Sequence, residues 1–295
     1  MPAVRVHRYG GPECLELEEI PVPQPGPGQV LVRVAAAGVG PWDALVRSGT
    51  SGVAQTLPLT PGSDIAGVVE RIEGANARFG AGDAVYGLTN QSFVGGYAQY
   101  AVASIGSMAR KPARLDFIQA ASVPVVAVTA WHMLFDCASL SPGQVIVVLG
   151  ARGNVGAYAV DLAKWAGAHV VSFASEASFD DRVSDVDVVV DTVGGQTQER
   201  AFPMLKRGGI LVSSVSQPPE DLATRYGVRT AFFIVEVTTA RLECIAQLLD
   251  GDVLKPHVGV VLPLDRAREA HEMLAGNVPH PAGKIVLDVS RAPGA

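Results

Sequence analysis

The chain has 295 residues, 48% hydrophobic and 18% charged, with a formal net charge of −6. Length and apolar content supply a substantial core for one large or two ordinary domains and exclude a disordered chain. The acidic balance offers no basic field to nucleic acid, and three widely separated cysteines (Cys14, Cys137, Cys244) exclude a disulfide scaffold and a Cys-rich zinc site.

The opening MPAVRVHRYGG lacks the apolar stretch of a secretory signal, which with the cysteine usage predicts a cytoplasmic protein. Prolines and glycines at 21–28 predict a rigid, non-helical connector. Four β-rich runs follow, VLVRVAAAGV (30–39), DIAGVVERIE (64–73), AVYGL (84–88) and YAQYAVA (97–103). Separated by glycine and proline, they predict a compact, barrel-like β unit reaching about residue 124. Residues 117–135 carry no Asp, Glu, Lys or Arg, as a membrane span would. Pro124 and the polar Gln119, Ser122, Thr129 and His132 interrupt the run, so the prediction is a pair of short buried helices and no membrane.

The middle of the chain alternates strand and helix. QVIVVLG (144–150) reads as a strand buried on both faces, and NVGAYAVDLAKWAGA (154–168) has a helical apolar period closed by Gly167. Further strands are predicted at 169–175, 186–195 and 208–216, with helices at 196–206 and 238–252. The tail adds a helix at 264–276 and a strand at 283–289. Alternation of this kind implies a parallel sheet with right-handed crossovers.

Gly150-Ala151-Arg152-Gly153-Asn154-Val155-Gly156 stands where the first strand of that sheet meets its helix. Glycines there permit a tight turn and close approach of a pyrophosphate, and the helix N-terminus supplies free N–H groups. An acid at the end of the second strand would bond the ribose 2′-hydroxyl of NAD. That strand ends instead in Ser175, which fits a 2′-phosphate, followed by Glu176, which would repel one if it pointed inward.

Taken together, AAGVGPWDALVRSG (36–49), LPLTPGSDIAGVVE (57–70), GDAVYG (82–87), GGYAQYAV (95–102), ASVPVVAVTAW (121–131), GARGNVGAYAV (150–160), DTVGG (191–195), GGILVS (208–213) and GKIVL (283–287) carry a resemblance over nearly the whole chain. The chain resembles the quinone oxidoreductase branch of the medium-chain dehydrogenase/reductase superfamily. The resemblance implies an α/β protein with a GroES-like catalytic domain (1–124 and 259–295) and a Rossmann cofactor domain (125–258), the active site lying in the cleft. It also implies a cytoplasmic homodimer that transfers hydride from NADPH to a small electrophilic acceptor, a quinone, enone or enoyl thioester. By the same resemblance Thr129, Val193, Phe233 and Val235 face the nicotinamide, and Gly194 and Ser213 are further cofactor-binding residues. Gly150 and Gly153 to Gly156 hold the pyrophosphate, Ser175 and Lys284 lie nearer the phosphates, and Trp42, Asp43 and Tyr86 surround the substrate. Zinc-dependent relatives have a Cys near residue 40 and Gly-His-Glu near 62–64; Gly40 and Gly62-Ser63-Asp64 here imply no metal.

Three features depart from the family pattern. Gly40 stands where relatives commonly have Asn. Arg152 replaces a small residue in the glycine turn, where it either pairs with a phosphate or fills space the pyrophosphate needs. Only ten residues, 176–185, separate the second strand from the next, fewer than a helical crossover requires. Relatives fit a helix, a strand and another helix there, with groups that hold the 2′-phosphate; Phe179 and Arg182 remain of that region. The sheet is therefore expected to run 2-1-4-5-6 rather than 3-2-1-4-5-6, with an extended link or a single helical turn and with Asp180, Asp181 and Arg182 blunting the new edge. A scaffold that has lost its cofactor and does non-redox chemistry, such as a cyclisation, and a non-enzymatic oligomerising protein remain alternatives at this stage.

Overall fold

The computed structural model describes residues 1–73, 78–175 and 178–290. Its chain divides into two compact units, one of residues 1–125, 237–250 and 256–295, the other of 126–236 and 251–255. In chain order the first unit opens with β1 (Pro2–Val6), β2 (Leu15–Glu19), β3 (Gln29–Val39), α1 (Pro41–Ser48), β4 (Asp64–Ile72), β5 (Ala84–Leu88), β6 (Tyr100–Ser104), β7 (Met108–Arg110) and α2 (Phe117–Ala121). Then come α3 (Pro124–Trp131), β8 (Val145–Leu149), α4 (Asn154–Trp165), β9 (His169–Phe173), β10 (Val186–Asp191), α5 (Gly195–Arg200), β11 (Leu205–Ser213), α6 (Glu220–Tyr226) and β12 (Arg229–Phe232). The chain closes with α7 (Thr239–Asp250), β13 (Val258–Pro263), α8 (Ala267–Leu274) and β14 (Lys284–Asp288).

In the first unit a seven-stranded sheet runs β13-β14-β3-β4-β5-β7, with β6 also on β3, and β1 pairs with β2. The pairings are antiparallel except β13 with β14. The alternating LELEE of β2 and the short β7 and β13 escaped the sequence pattern, as did α1. Helix α1 starts on Pro41, whose missing N–H costs nothing at that position, and ends at Gly49 in the left-handed conformation (φ 77°). Helix α7 is fastened to the first unit by Thr239 Oγ1, 2.8 Å from the Met108 carbonyl, and by the Tyr86 hydroxyl, 2.6 Å from that of Leu242.

The uncharged 117–135 stretch forms α2, α3 and a π-type turn at His132–Cys137, buried along most of its length. No helix among the described residues is long and apolar enough to cross a membrane.

The second unit is built on a parallel sheet of order β12-β11-β10-β8-β9. Among the described residues no strand lies outside β9, and the expected order 2-1-4-5-6 is the one observed. The helix expected over 196–206 is shorter: α5 stops at Arg200 and gives way to a single turn at Phe202–Met204, because Pro203 has no N–H to continue the ladder. Strand β11 correspondingly starts early, at Leu205; α6 was not anticipated, and β12, the last strand of that order, was not located in the sequence.

The short link does the packing work of a crossover helix. Phe179 and Val183, four residues apart, lie on the apolar cluster of Val147, Leu149, Phe173 and Phe202. Phe179 stacks on Phe173 with centroids 5.0 Å apart, and the Arg200 guanidinium sits 4.2 Å over its ring. The edge charges pair off: Arg182 chelates Asp180 and Arg200 bonds Asp181. The Arg182 guanidinium holds the Asp180 carboxyl down at about 2. Phe179→Ala is expected to cost about 2 kcal/mol, less than a fully buried phenylalanine because the ring is half-buried. Arg182→Ala, removing an exposed local pair, is expected to leave stability unchanged. Urea unfolding of both variants checks the contrast.

Candidate active site

In the second unit, the carboxyl ends of β8 and β10 bring two turns together. After β8 the chain reverses at Gly150 (φ 78°), and the Phe173 carbonyl at the end of β9 accepts from the Gly150 and Ala151 N–H groups at 2.9 and 3.0 Å. Gly153 N–H returns to the Gly150 carbonyl at 2.8 Å, and α4 starts from Gly153 in extended conformation with no side-chain cap. The N–H groups of Asn154, Val155 and Gly156 occupy the first three helical positions, which have no intrahelical acceptor, so they and the helix dipole face whatever sits at that end. A Cβ on Gly156 would stand 2.2 Å from the Gly150 carbonyl oxygen, so helix and turn touch backbone to backbone.

Against this turn lies the one after β10. A Cβ on Gly150 would meet Thr192 Oγ1 at 2.4 Å, and Thr192 donates that hydroxyl to the Leu149 carbonyl at 2.8 Å. The organiser is Asp191, which is fully buried. One of its carboxylate oxygens accepts from Val193 and Gly194 N–H, both at 2.9 Å. The other accepts from Gln198 and from the Ser213 hydroxyl, both at 2.8 Å. Val193 is left nearly half exposed on this turn. Phe233 packs against His132 with the rings tilted by 36° and their centroids 4.1 Å apart. Thr129 is almost buried in α3, Val235 is half-buried, and Arg152 and Ser175 are exposed. Ser175 and Ser178 close a local turn, Ser175 N–H reaching Ser178 Oγ at 3.0 Å. Glu176 lies outside the described residues.

The donor set fits a nicotinamide dinucleotide at the pyrophosphate. Glycines bare a backbone that any Cβ would obstruct, an uncapped helix N-terminus presents N–H groups, and no acid closes the turn itself.

The first unit holds a buried polar cluster. Asp43 is the third residue of α1, and its Oδ2 accepts from Gly40 N–H at 2.8 Å and from the Tyr97 hydroxyl at 3.0 Å. Its Oδ1 is buried without a partner, and burial pushes the carboxyl up to about 7, against the pull of the Gly40 N–H and the Lys284 charge. Tyr97 meets His271 edge to face, its own hydroxyl driven upward by burial and by Asp43. Arg47 Nη1 donates to His271 Nδ1 at 3.0 Å, so the ring proton resides on Nε2, which has no partner. Burial, and then Arg47, hold the imidazole down at about 3. Beside Asp43, Lys284 Nζ is 3.1 Å from Asp64 Oδ2 and 4.1 Å over the Trp42 ring, and Trp42 Nε1 donates to Ser63 Oγ at 3.1 Å.

These placements change three expectations. Lys284, expected near the phosphates, is only 1% exposed and spends its ammonium on Asp64 and Trp42. Tyr86, expected around the substrate, is fully buried in the β4–β5–β7 ladder with its hydroxyl bound to Leu242. Ser213 is fully buried and braces Asp191, so its hydroxyl is not offered outward. Asp43 does cap α1, as an acid at that position can, but it also binds Tyr97. Tyr97, Arg47, His271 and Asp191 were not singled out by the sequence, because nothing local distinguishes them from ordinary polar residues.

Metal ligands do not converge on this cluster. Gly40 has no side chain, Ser63 Oγ is taken by Trp42, and Asp64 is neutralised by Lys284. Among the described residues, one grouping of three potential metal ligands occurs, His7, Glu16 and Glu18 on the β1–β2 pair, mostly exposed.

Residues 26–113 match the family described as "Alcohol dehydrogenase GroES-like domain", and residues 166–287 the family described as "Zinc-binding dehydrogenase". The quinone oxidoreductase of Pongo abelii is 32% identical, the alignment covering 97% of each chain. That alignment is longer than this chain, so the relative carries positions with no counterpart here. An alcohol dehydrogenase superfamily protein from Novosphingobium aromaticivorans superposes with a TM-score of 0.88 at 29% identity, over 98% of this chain and 99% of its own. The quinone oxidoreductase from Coxiella burnetii superposes with a TM-score of 0.87 at 26% identity, over 98% and 99%.

Proposed function

Because the chain belongs to the quinone oxidoreductase branch of the medium-chain dehydrogenase/reductase superfamily, we propose that it is a zinc-independent reductase that uses NADPH to reduce a quinone, enone or enoyl-type acceptor. The observation that carries this reading is the glycine turn with its uncapped helix, intact beside the Asp191 turn. A nicotinamide cofactor supplies the hydride when bound.

The protein's residues do the holding. The N–H groups at the start of α4 neutralise the pyrophosphate, and Gly150, Gly153 and Gly156 leave room for it. Asp191 fixes Val193 and Gly194 by their N–H groups, so the turn that receives the nicotinamide side is rigid before binding. Ser175, in place of an acid, leaves a 2′-phosphate unopposed at that residue, which supports NADPH over NADH.

The non-redox alternative is the weaker reading, because the glycine turn and its helix end are retained. Incubation with NADPH and 1,4-benzoquinone or a simple enone, after exhaustive treatment with a chelator, tests the proposal. NADPH absorbance is expected to fall at an undiminished rate, faster than with NADH. Loss of activity on chelation would refute zinc-independence, and no oxidation of NADPH with any such acceptor would refute the reductase.

A further inference from the structure

The Trp42 indole lies where a side chain at position 40 would be. A Cβ on Gly40 would stand 2.3 to 2.5 Å from three atoms of its six-membered ring, a distance no neighbour tolerates without moving. The ring is held there from two directions, by Nε1–H donating to Ser63 Oγ and by the Lys284 ammonium over its face. Lys284 is in turn anchored by Asp64, itself fully buried and bonded through Oδ1 to Val125 N–H at 3.1 Å. Gly38 makes room for the pair: a Cβ there would meet Asp64 Cβ and Lys284 Cε at 3.0 and 3.1 Å. A glycine, an indole, a hydroxyl, a carboxylate and an ammonium thus form one charge-balanced assembly.

We propose that the Lys284 ammonium is the resident cation of this site, and that it positions Trp42 over Gly40 as the wall that determines which acceptor fits. A divalent ion would need the Asp64 oxygen that Lys284 holds and the space over Gly40 that Trp42 fills. It would also bring two further positive charges beside a buried ammonium. Lys284 is a positioning residue, acting through Trp42. The consequence for the acceptor rests on the reductase reading; the consequences for Trp42 and for metal binding do not.

The test uses the full chain with Trp131→Phe and Trp165→Phe, which leaves Trp42 as the single tryptophan. In this background Lys284→Met is expected to shift Trp42 emission to the red and to raise acrylamide quenching about twofold or more, since the cation–π hold is gone. Gly40→Ala acts on the other contact and is expected to do the same, which keeps the proposal testable if Lys284→Met does not fold. Cobalt(II) added to the unmodified protein is expected to give no ligand-field absorption. In NADPH-coupled assays Lys284→Met is expected to raise KM for the acceptor about tenfold while NADPH affinity stays unchanged. Unaltered Trp42 fluorescence in folded Lys284→Met and Gly40→Ala would overturn the proposal, as would stoichiometric cobalt uptake at the Asp64 site. If no acceptor is reduced even by the unmodified protein, the reductase reading fails, while fluorescence and cobalt still decide the role of Lys284.

Discussion

Gly156→Ala is expected to abolish measurable NADPH binding and to destabilise the protein by about 1–3 kcal/mol. The added methyl would sit 2.2 Å from the Gly150 carbonyl oxygen, 2.8 Å from its carbon and 3.0 Å from Ala151 Cα. All three are backbone atoms of a turn pinned at both ends, by Phe173 on one side and by the Gly153-to-Gly150 hydrogen bond on the other. No side-chain rotation can relieve the contact, so α4 must move away from the turn. Its first three N–H groups then no longer converge with the glycine backbone on one anion. Gly143→Ala is the control: unlike Gly156 it has positive φ (81°), but open space around the Cβ position, so it bears strain without a collision. It is expected to lose some stability and to retain NADPH binding. Equal loss of binding in both variants would mean that turn strain in general, rather than contact at residue 156, governs the site.

Asp43→Asn is expected to gain stability relative to the unmodified protein as pH rises from 4 to 8. Burial raises the folded-state carboxyl from 3.8 to about 7. A carboxyl raised in this way contributes stability that is complete below the unfolded value of 3.8 and is lost as pH rises through about 7. The loss amounts to about 4 kcal/mol as an order of magnitude. Asparagine keeps an acceptor for Gly40 N–H and Tyr97 OH and has no charge to bury, so this slope disappears. His271 works with the opposite sign. Its folded value is lowered to about 3 from 6.5, so its contribution is complete above 6.5 and is lost as pH falls through about 3. The variant should therefore show only the acid-side loss, whereas the parent sums both slopes between 3.8 and 6.5. Urea midpoints at pH 5 and pH 8 measure the difference. An Asp43→Asn effect that is the same at both values would show that the carboxyl keeps its charge in the fold.

The parts of the fold that were legible in the sequence are those set by local pattern and by chain length. Valine-rich QVIVVLG can be buried on both faces only as an inner strand, and the glycines after it admit only a tight turn into α4. The missing outer strand followed from counting: the ten residues between the second predicted strand and the next cannot make a strand and two helices. How the gap is closed was not legible, because it depends on Phe179 and Val183 finding the face of the sheet, a tertiary event. The polar cluster was hidden for a related reason. Tyr97 is 54 residues from Asp43, and His271 is 224 from Arg47. Lys284 read as a cofactor ligand through its glycine-lysine motif, yet its ammonium is committed to Asp64, 220 positions away. Tyr86 and Ser213 sit in strands whose neighbours bury them completely, which residue type alone does not reveal.

On the reading proposed above, the glycine turn holds the pyrophosphate as in relatives, while the adenosine side lacks the block that relatives carry after the second strand. Losing one or two charge-assisted hydrogen bonds, each about 1.5–3 kcal/mol, weakens binding by roughly one to four decades. Calorimetric titration of the full chain with NADPH measures this directly. Saturable binding of one NADPH per chain is expected, with a Kd between about 0.01 and 10 mM, where an undiminished site would be about micromolar. No heat of binding up to about 10 mM NADPH would contradict it.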